Sequence, residues 1–243
     1  MAITNSGMTF VLVHGAWHGG WCWSRVADIL RSRGHRVTTP TLTGSGERSH
    51  LLSGSITLAL YVDDIVNHLV WEDLQNVVLV GHSFGGLPIT QIADTVPERI
   101  SRLVFLDAVI LQHGEALFDL LPKEAVEARI ASASEVNGCL TMVAHDVSSY
   151  GITKAEDVAF VGERFTPHPL ATYREALTLK GPVGNGLPIT YVICTGPIYE
   201  PARIFHQRAR DAGWPIYELA TGHDAMITEP MGTADLLVES CAP

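Results

Sequence analysis

Apolar positions along this chain follow two alternating rhythms. One is a set of short strand-like segments: "TFVLVH" (residues 9–14), "HRVTTP" (35–40), "NVVLVG" (76–81), "RLVFLDA" (102–108), "PITYVICT" (188–195) and "PIYELA" (215–220). Among them Val77 to Val80 is a continuous apolar run, which is what a strand buried on both faces looks like. The other rhythm spaces its apolar residues three and four apart. Val26, Ile29 and Leu30 show it ahead of a terminating Gly34, and Leu58, Val62, Ile65, Val66 and Leu69 show it again. Further helices are predicted in "GGLPITQIADTV", with Pro88 in the first turn where its missing N–H costs little, in "PARIFHQRARDAG", and after Pro230. Strand–helix alternation of this kind predicts an α/β fold, a mostly parallel sheet with helices on both faces. Its ligand crevice lies beyond the carboxyl ends of the strands. The rhythm breaks at about 109–187, where "EAVEARIASASEV" and "ATYREALTL" have helical spacing between "TPHP" and "GPVGNG" punctuation. We read this stretch as an inserted helical cap within a single domain spanning 1–243.

Composition narrows the picture. With 47% hydrophobic and 17% charged residues the chain can bury a sizeable core, and a formal net charge of −10 argues against nucleic acid or an anionic membrane as partners. No apolar run approaches the ~18 residues that span a bilayer, and "MAITNSGMTFVLVHG" lacks the basic region and long apolar core of a secretory leader. Cys22, Cys139, Cys194 and Cys241 are scattered, which predicts reduced thiols and no zinc site. A cytoplasmic location is the expectation.

The chemistry centres on Gly81-His82-Ser83-Phe84-Gly85, a G-x-S-x-G pattern between a predicted strand and a predicted helix. A sharp strand-to-helix corner strains its central residue and needs small neighbours two positions away on each side. A serine hydroxyl there becomes a nucleophile only if a base takes its proton. Among eleven histidines the candidate is His223, in "ELATGHDAM" after the last strand. A carboxylate should orient that imidazole. Asp107, at the end of "RLVFLD", is the first choice, and Glu200 in "GPIYEP" the alternative. After the first strand, "HGAWHGGWCW" places Gly15 where the backbone must turn, so that the amides of Ala16 and Phe84 can form an oxyanion hole. Trp17 and His18 are candidate substrate-binding neighbours, with Trp21, Trp23, Arg48 and His50 placed near the crevice by position alone. His14 and His18 lie four apart but straddle a turn and have no carboxylate partner motif, so no metal site is predicted.

Taken together, "FVLVHGAWHGGWCW", "TPTLTGSGERSHL", "VVLVGHSFGG", "RLVFLDA" and "TGHDAMITEP" resemble the α/β-hydrolase superfamily. Within it the chain is similar to small bacterial esterases related to plant methylesterases and hydroxynitrile lyases. The resemblance covers nearly the whole chain, specific in the four catalytic segments and loose in the cap. It implies Ser83 as nucleophile, His223 as base, and Ala16 and Phe84 as oxyanion donors. The plant enzymes carry their acid after the strand matching "TYVICT", where this chain has Pro197, so the acid rests on Asp107. "LTGSGERSHLL" and "TPHPLATY" also resemble bacterial hydrolases that include enzymes cleaving the methyl carbamate of benzimidazole fungicides. Plant lyases of the group carry Thr and Lys where this chain has Gly15 and Asp224, and an acid beside the site would repel cyanide, so esterase is preferred to lyase. Ser83 excludes the carboxylate nucleophile of dehalogenases. The expectation is hydrolysis of a small-molecule carboxylic or carbamate ester through an acyl-enzyme, without cofactor or metal. A slow-turnover ligand receptor with the same residues is the other reading.

Overall fold

A computed structural model describes residues 7–241 of the chain. Residues 1–6 of the stretch read for a leader, and residues 242–243 of the predicted domain, lie outside the described residues. In chain order the first elements are β1 (Thr9–Val13), α1 (Ser24–Ser32), β2 (Arg36–Thr38), α2 (Leu58–Trp71), β3 (Val77–His82), α3 (Gly86–Thr95) and β4 (Ile100–Leu106). A long excursion follows with α4 (Leu117–Leu120), α5 (Lys123–Ala131), β5 (Ser134–Val136), β6 (Cys139–Met142), α6 (Ala155–Gly162), β7 (His168–Pro169) and α7 (Ala171–Arg174). The chain then resumes with β8 (Ile189–Cys194), α8 (Arg203–Asp211), β9 (Ile216–Leu219), α9 (Ala225–Thr228) and α10 (Pro230–Glu239).

The central sheet has the order β2-β1-β3-β4-β8-β9, and every neighbouring pair is parallel. All six residues of β3 and all six of β8 are buried, which is why both read as unbroken apolar runs. Each Val or Leu so buried is worth about 1.5–3 kcal/mol over leaving it exposed. From β1 the chain moves outward to β2, then returns to β3 on the other side of β1. Right-handed crossovers therefore put α1 on one face and α2 and α3 on the other, and α1 packs on α10 while α2 packs on α3. The carboxyl ends of β1 and β3 form the switch point where a crevice opens. The loop after β1 and the corner after β3 both end there.

The excursion between β4 and β8 corrects the expected helical cap. It is mixed: β5, β6 and β7 form an antiparallel three-stranded sheet beside α4–α7. "EAVEARIASASEV" holds its helix only to Ala131 and then becomes β5, and "ATYREALTL" gives a single helical turn. The cause is the Asn137-Gly138 pair joining β5 to β6, with φ of 51° and 71°. Two central residues with positive φ make the tight turn whose twist matches a two-stranded ribbon, and Asn-Gly supplies both at low steric cost. That dipeptide was the available sequence signal for a hairpin.

Candidate active site

β3 ends at His82, and a 3-10 turn at Ser83–Gly85 leads directly into α3. Ser83 sits at the corner with φ of 52°, a left-handed conformation that costs a residue with a Cβ about 1–2 kcal/mol. The flanking glycines permit the corner. A Cβ on Gly81 would lie 2.6 Å from the Gly85 carbonyl oxygen, and one on Gly85 would lie 2.8 Å from the carbonyl oxygens of Val13 and His14. The serine is half-buried, so its hydroxyl faces the crevice while Phe84 turns into the core.

The loop after β9 brings His223 over this corner. Its Nε2 is 2.9 Å from Ser83 Oγ and its Nδ1 2.6 Å from Asp107 Oδ2. A carboxylate facing Nδ1 fixes the proton there, so Nε2 is left to accept from the serine. Asp107 follows β4 directly, and its φ of 47° turns the side chain across the strand ends. The other oxygen, Oδ1, accepts from His206 Nε2 at 2.6 Å and from the Cys194 amide at 3.2 Å. Burial pushes the Asp107 carboxyl up, but the hydrogen bonds and charges of His206 and His223 outweigh it and bring the group down to about 2. Glu200 lies elsewhere, exposed and bound to Arg203 at 2.6 and 2.9 Å.

Sequence reasoning, which settles on His223, assigns His206 no role at the site. Its signal was the spacing Ala202, Phe205, His206, Ala209, the buried face of α8 and its lead-in. A histidine on such a face demands a partner.

The loop after β1 carries the remaining candidates. The Ala16 N–H has no acceptor among the described residues. The Phe84 N–H belongs to the first turn of a helix, where amides lack an intrahelical partner. The His14 ring holds the loop: Leu42 N–H donates to its Nε2 at 3.0 Å, and its Nδ1–H donates to the Gly15 carbonyl at 2.8 Å. Burial pushes that imidazole down to about 4, so it stays neutral. Trp17 lies at the crevice, and its Nε1–H donates to the Met142 carbonyl on β6 at 2.9 Å.

His18 is placed differently from expectation. Its ring faces away from the crevice, donating from Nδ1 to the Ala16 carbonyl at 2.8 Å and from Nε2 to Asp224 Oδ2 at 3.0 Å. Both nitrogens face acceptors, an arrangement that favours the imidazolium. Burial alone would push His18 down, yet Asp224 and the Ala16 carbonyl raise it; burial pushes Asp224 up, and His18, with smaller contributions from His82 and His223, brings it down. Asp224 is thus a fully buried partner of His18, not a free acid at the reacting centre, and the charge argument against a lyase loses that support. Removing one member of such a pair costs about 3–5 kcal/mol, and Asp224→Asn is expected to lose that much in urea denaturation. The raised His18 stabilises below its ordinary value near ~6.5 and loses its effect as pH rises through its folded value. The lowered Asp224 stabilises above ~4 and loses its effect on further acidification. The gap between wild type and variant is therefore widest from about pH 4 to 6.5, and a gap that stays constant to pH 9 would refute the pairing.

Ser83, Phe84, Asp107 and His223 open on a small cavity walled by Trp17, Val109, Leu117, Tyr173, Tyr199 and Phe205 among others. Phe84 and Tyr173 stack at 5.4 Å, and Tyr199 stacks on the His223 ring at 4.3 Å. Trp17 belongs to the wall as expected, whereas His18 does not. Trp23 is fully buried, Trp21 stacks on His18, Arg48 pairs with Asp64, and His50 is exposed. His82, His223 and Asp224 bring possible metal-ligand atoms within 4.8 Å of one another. Both His223 nitrogens are already used by Asp107 and Ser83, and His82 Nε2 donates to the His223 carbonyl at 3.0 Å, so these groups form a hydrogen-bond network and not a ready ligand set.

Comparison with known proteins agrees with this geometry. Residues 10–236 match the model of the alpha/beta hydrolase family. The chain is 38% identical over 238 residues to a carbendazim hydrolyzing esterase of Nocardioides sp. (strain SG-4G), covering 94% of this chain and 97% of that protein. It is 28% identical to methylesterase 10 of Arabidopsis thaliana, covering 96% and 91%. A solved extracellular alpha/beta-hydrolase from a Paenibacillus species superposes with a TM-score of 0.82 at 25% identity, covering 96% and 98%. A parallel sheet with the β2-β1-β3-β4 switch point, a serine at the strand-to-helix corner and a family match over nearly the whole length lead to one conclusion: the chain belongs to the alpha/beta hydrolase family.

Proposed function

We propose that this chain is a serine esterase that cleaves a carboxylic or carbamate ester of a small molecule through an acyl-enzyme. The observation that carries the reading is the line Ser83 Oγ–His223 Nε2–Asp107 Oδ2, with steps of 2.9 and 2.6 Å, opening on an apolar cavity. Ester hydrolysis is also what the names of the bacterial and plant relatives describe for those proteins.

Ser83 Oγ adds to the carbonyl carbon as its proton passes to His223 Nε2. The imidazolium so formed is stabilised by Asp107, which stays ionised because two histidines and the Cys194 amide donate to it. The Ala16 and Phe84 amides receive the oxyanion, each worth roughly 3–4 kcal/mol in the transition state. His223 then gives its proton to the departing alcohol, and a water molecule repeats the sequence to release the acid or the carbamic acid. Trp17, Phe84 and Tyr173 exclude water and favour a flat or aliphatic group beside the carbonyl.

An aryl N-methylcarbamate provides the test, because a carbamoyl-serine hydrolyses more slowly than an acetyl-serine. Rapid mixing is expected to release a burst approaching one equivalent of phenol, and quenched protein should carry the carbamoyl mass on the peptide containing Ser83. A linear time course with no adduct at any mixing time would remove the acyl-enzyme. With the matching aryl acetate, whose acyl-serine hydrolyses readily, release that stops at one equivalent and never turns over would mark a ligand receptor.

A further inference from the structure

The cavity at Ser83 does not end at its own wall. A second, outer cavity lies between α4–α5 and the start of α8, and the two share Leu121, Arg129 and Pro201. These three residues form a throat.

Charge is unevenly settled around that throat. In the inner cavity Asp107 and His223 are bonded to each other, and in the outer one Glu200 and Arg203 are paired. Arg129 lines both cavities and, among the described residues, has no carboxylate within 4.0 Å. Its guanidinium lies over the rings of Trp17 at 5.7 Å and Tyr173 at 5.9 Å, half-buried, with one of its five N–H donors engaged by the Tyr199 hydroxyl and the others left over. Contact with aromatic faces holds the plane of the guanidinium while leaving N–H donors on its edge for an acceptor. A planar fork with free donors, fixed on rings and partly desolvated, matches a carboxylate in two parallel hydrogen bonds.

Resting on the esterase reading, we propose that Arg129 is a specificity residue that binds a carboxylate carried by the substrate, so that the preferred substrates are monoanionic aryl or short-chain esters. The net charge of −10 opposes anions at long range, so the contribution of Arg129 lies in retention of the bound ester and not in its capture.

Binding to the Ser83→Ala protein tests this without turnover. Calorimetric Kd values are compared for monomethyl terephthalate against methyl 4-carbamoylbenzoate, and for 4-acetoxybenzoate against 4-acetoxybenzamide. The first pair places the carboxylate on the acyl side and the second on the alcohol side. In at least one pair the anion is expected to bind about tenfold more tightly than its neutral isostere. Adding Arg129→Gln should abolish that preference while changing the neutral ligand's Kd less than about twofold. Arg129→Lys should retain part of it, and 0.5 M salt should shrink it. Equal Kd values for anion and amide in both pairs overturn the proposal. So does an Arg129→Gln protein, folded by its Tm, that weakens anion and amide alike, since that is the behaviour of a packing residue. Wild-type turnover of the neutral esters reports separately on the esterase reading.

Discussion

Ser83→Ala is expected to lower kcat toward a short aryl ester by about 10⁶-fold, the scale on which serine hydrolases respond to loss of the nucleophile. The physical reason is that nothing else in the cavity can replace it. Of the side chains around the reacting centre, only Ser83 places an oxygen 2.9 Å from His223 Nε2. Its removal leaves the oxyanion amides and the apolar wall, which bind but do not attack. The variant should melt within about 2 °C of wild type, because among the described residues Ser83 Oγ makes no hydrogen bond except to His223. Ser83→Gly should be equally inactive yet more stable than Ser83→Ala by about 1 kcal/mol, because φ of 52° burdens any residue with a Cβ and not glycine. Chemical denaturation of the two variants measures that strain directly. An alanine variant with a tenth of wild-type activity would sink the nucleophile assignment, and equal stability of the two would sink the strained corner.

Asp107→Asn is expected to cost about 10⁴-fold in kcat, and Glu200→Gln less than twofold. Three donors converge on the Asp107 carboxylate: His223 Nδ1–H, His206 Nε2–H and the Cys194 amide. An asparagine offers one accepting oxygen and turns an NH₂ group against a donor on the other side. His223 then loses either its orientation or its reactive tautomer. Among the described residues, the one ion pair of Glu200 is with Arg203 at the surface. The same change alters acid stability, with a definite sign. The Asp107 carboxyl lies at about 2 in the folded chain, below its ordinary value of 3.8. Its ionised form therefore stabilises the fold above about pH 4, and that contribution disappears as pH falls toward 2. The gap in unfolding free energy between wild type and Asp107→Asn should narrow over that interval by something on the order of 2 kcal/mol. A crippled Glu200→Gln with an active Asp107→Asn would move the acid to the other strand end, and a gap that widens on acidification would refute the ionised, histidine-bound carboxylate.

The bacterial and plant likenesses leave the substrate to the excursion between β4 and β8, and there the side chains read poorly from sequence. Arg129 belongs to a short helix with no buried residue, which resembles any solvated surface helix, with charges at Lys123, Glu124, Glu127 and Arg129. Only the meeting of α5 with the loop after β1 and with α7 sets its guanidinium on Trp17 and Tyr173. The hairpin of β5 and β6 was lost beneath an alanine- and serine-rich stretch that favours helix locally, although Asn137-Gly138 signalled a turn.

What the sequence by itself determined is what short-range physics enforces. Unbroken apolar runs can only be doubly covered strands, so the parallel sheet was legible. A serine between glycines at a strand-to-helix junction can only be a tight corner, because the backbone atoms that would meet a Cβ on Gly81 are four residues away in the same turn. The tertiary structure alone decided the pairings that span the chain: His223 with Asp107 across 116 residues, His206 with the same carboxylate across 99, and His18 with Asp224 across 206. Each of these depends on the order in which strands lie in the sheet. A parallel sheet gathers the carboxyl ends of distant strands at one edge, and no local pattern states which of those ends will be neighbours.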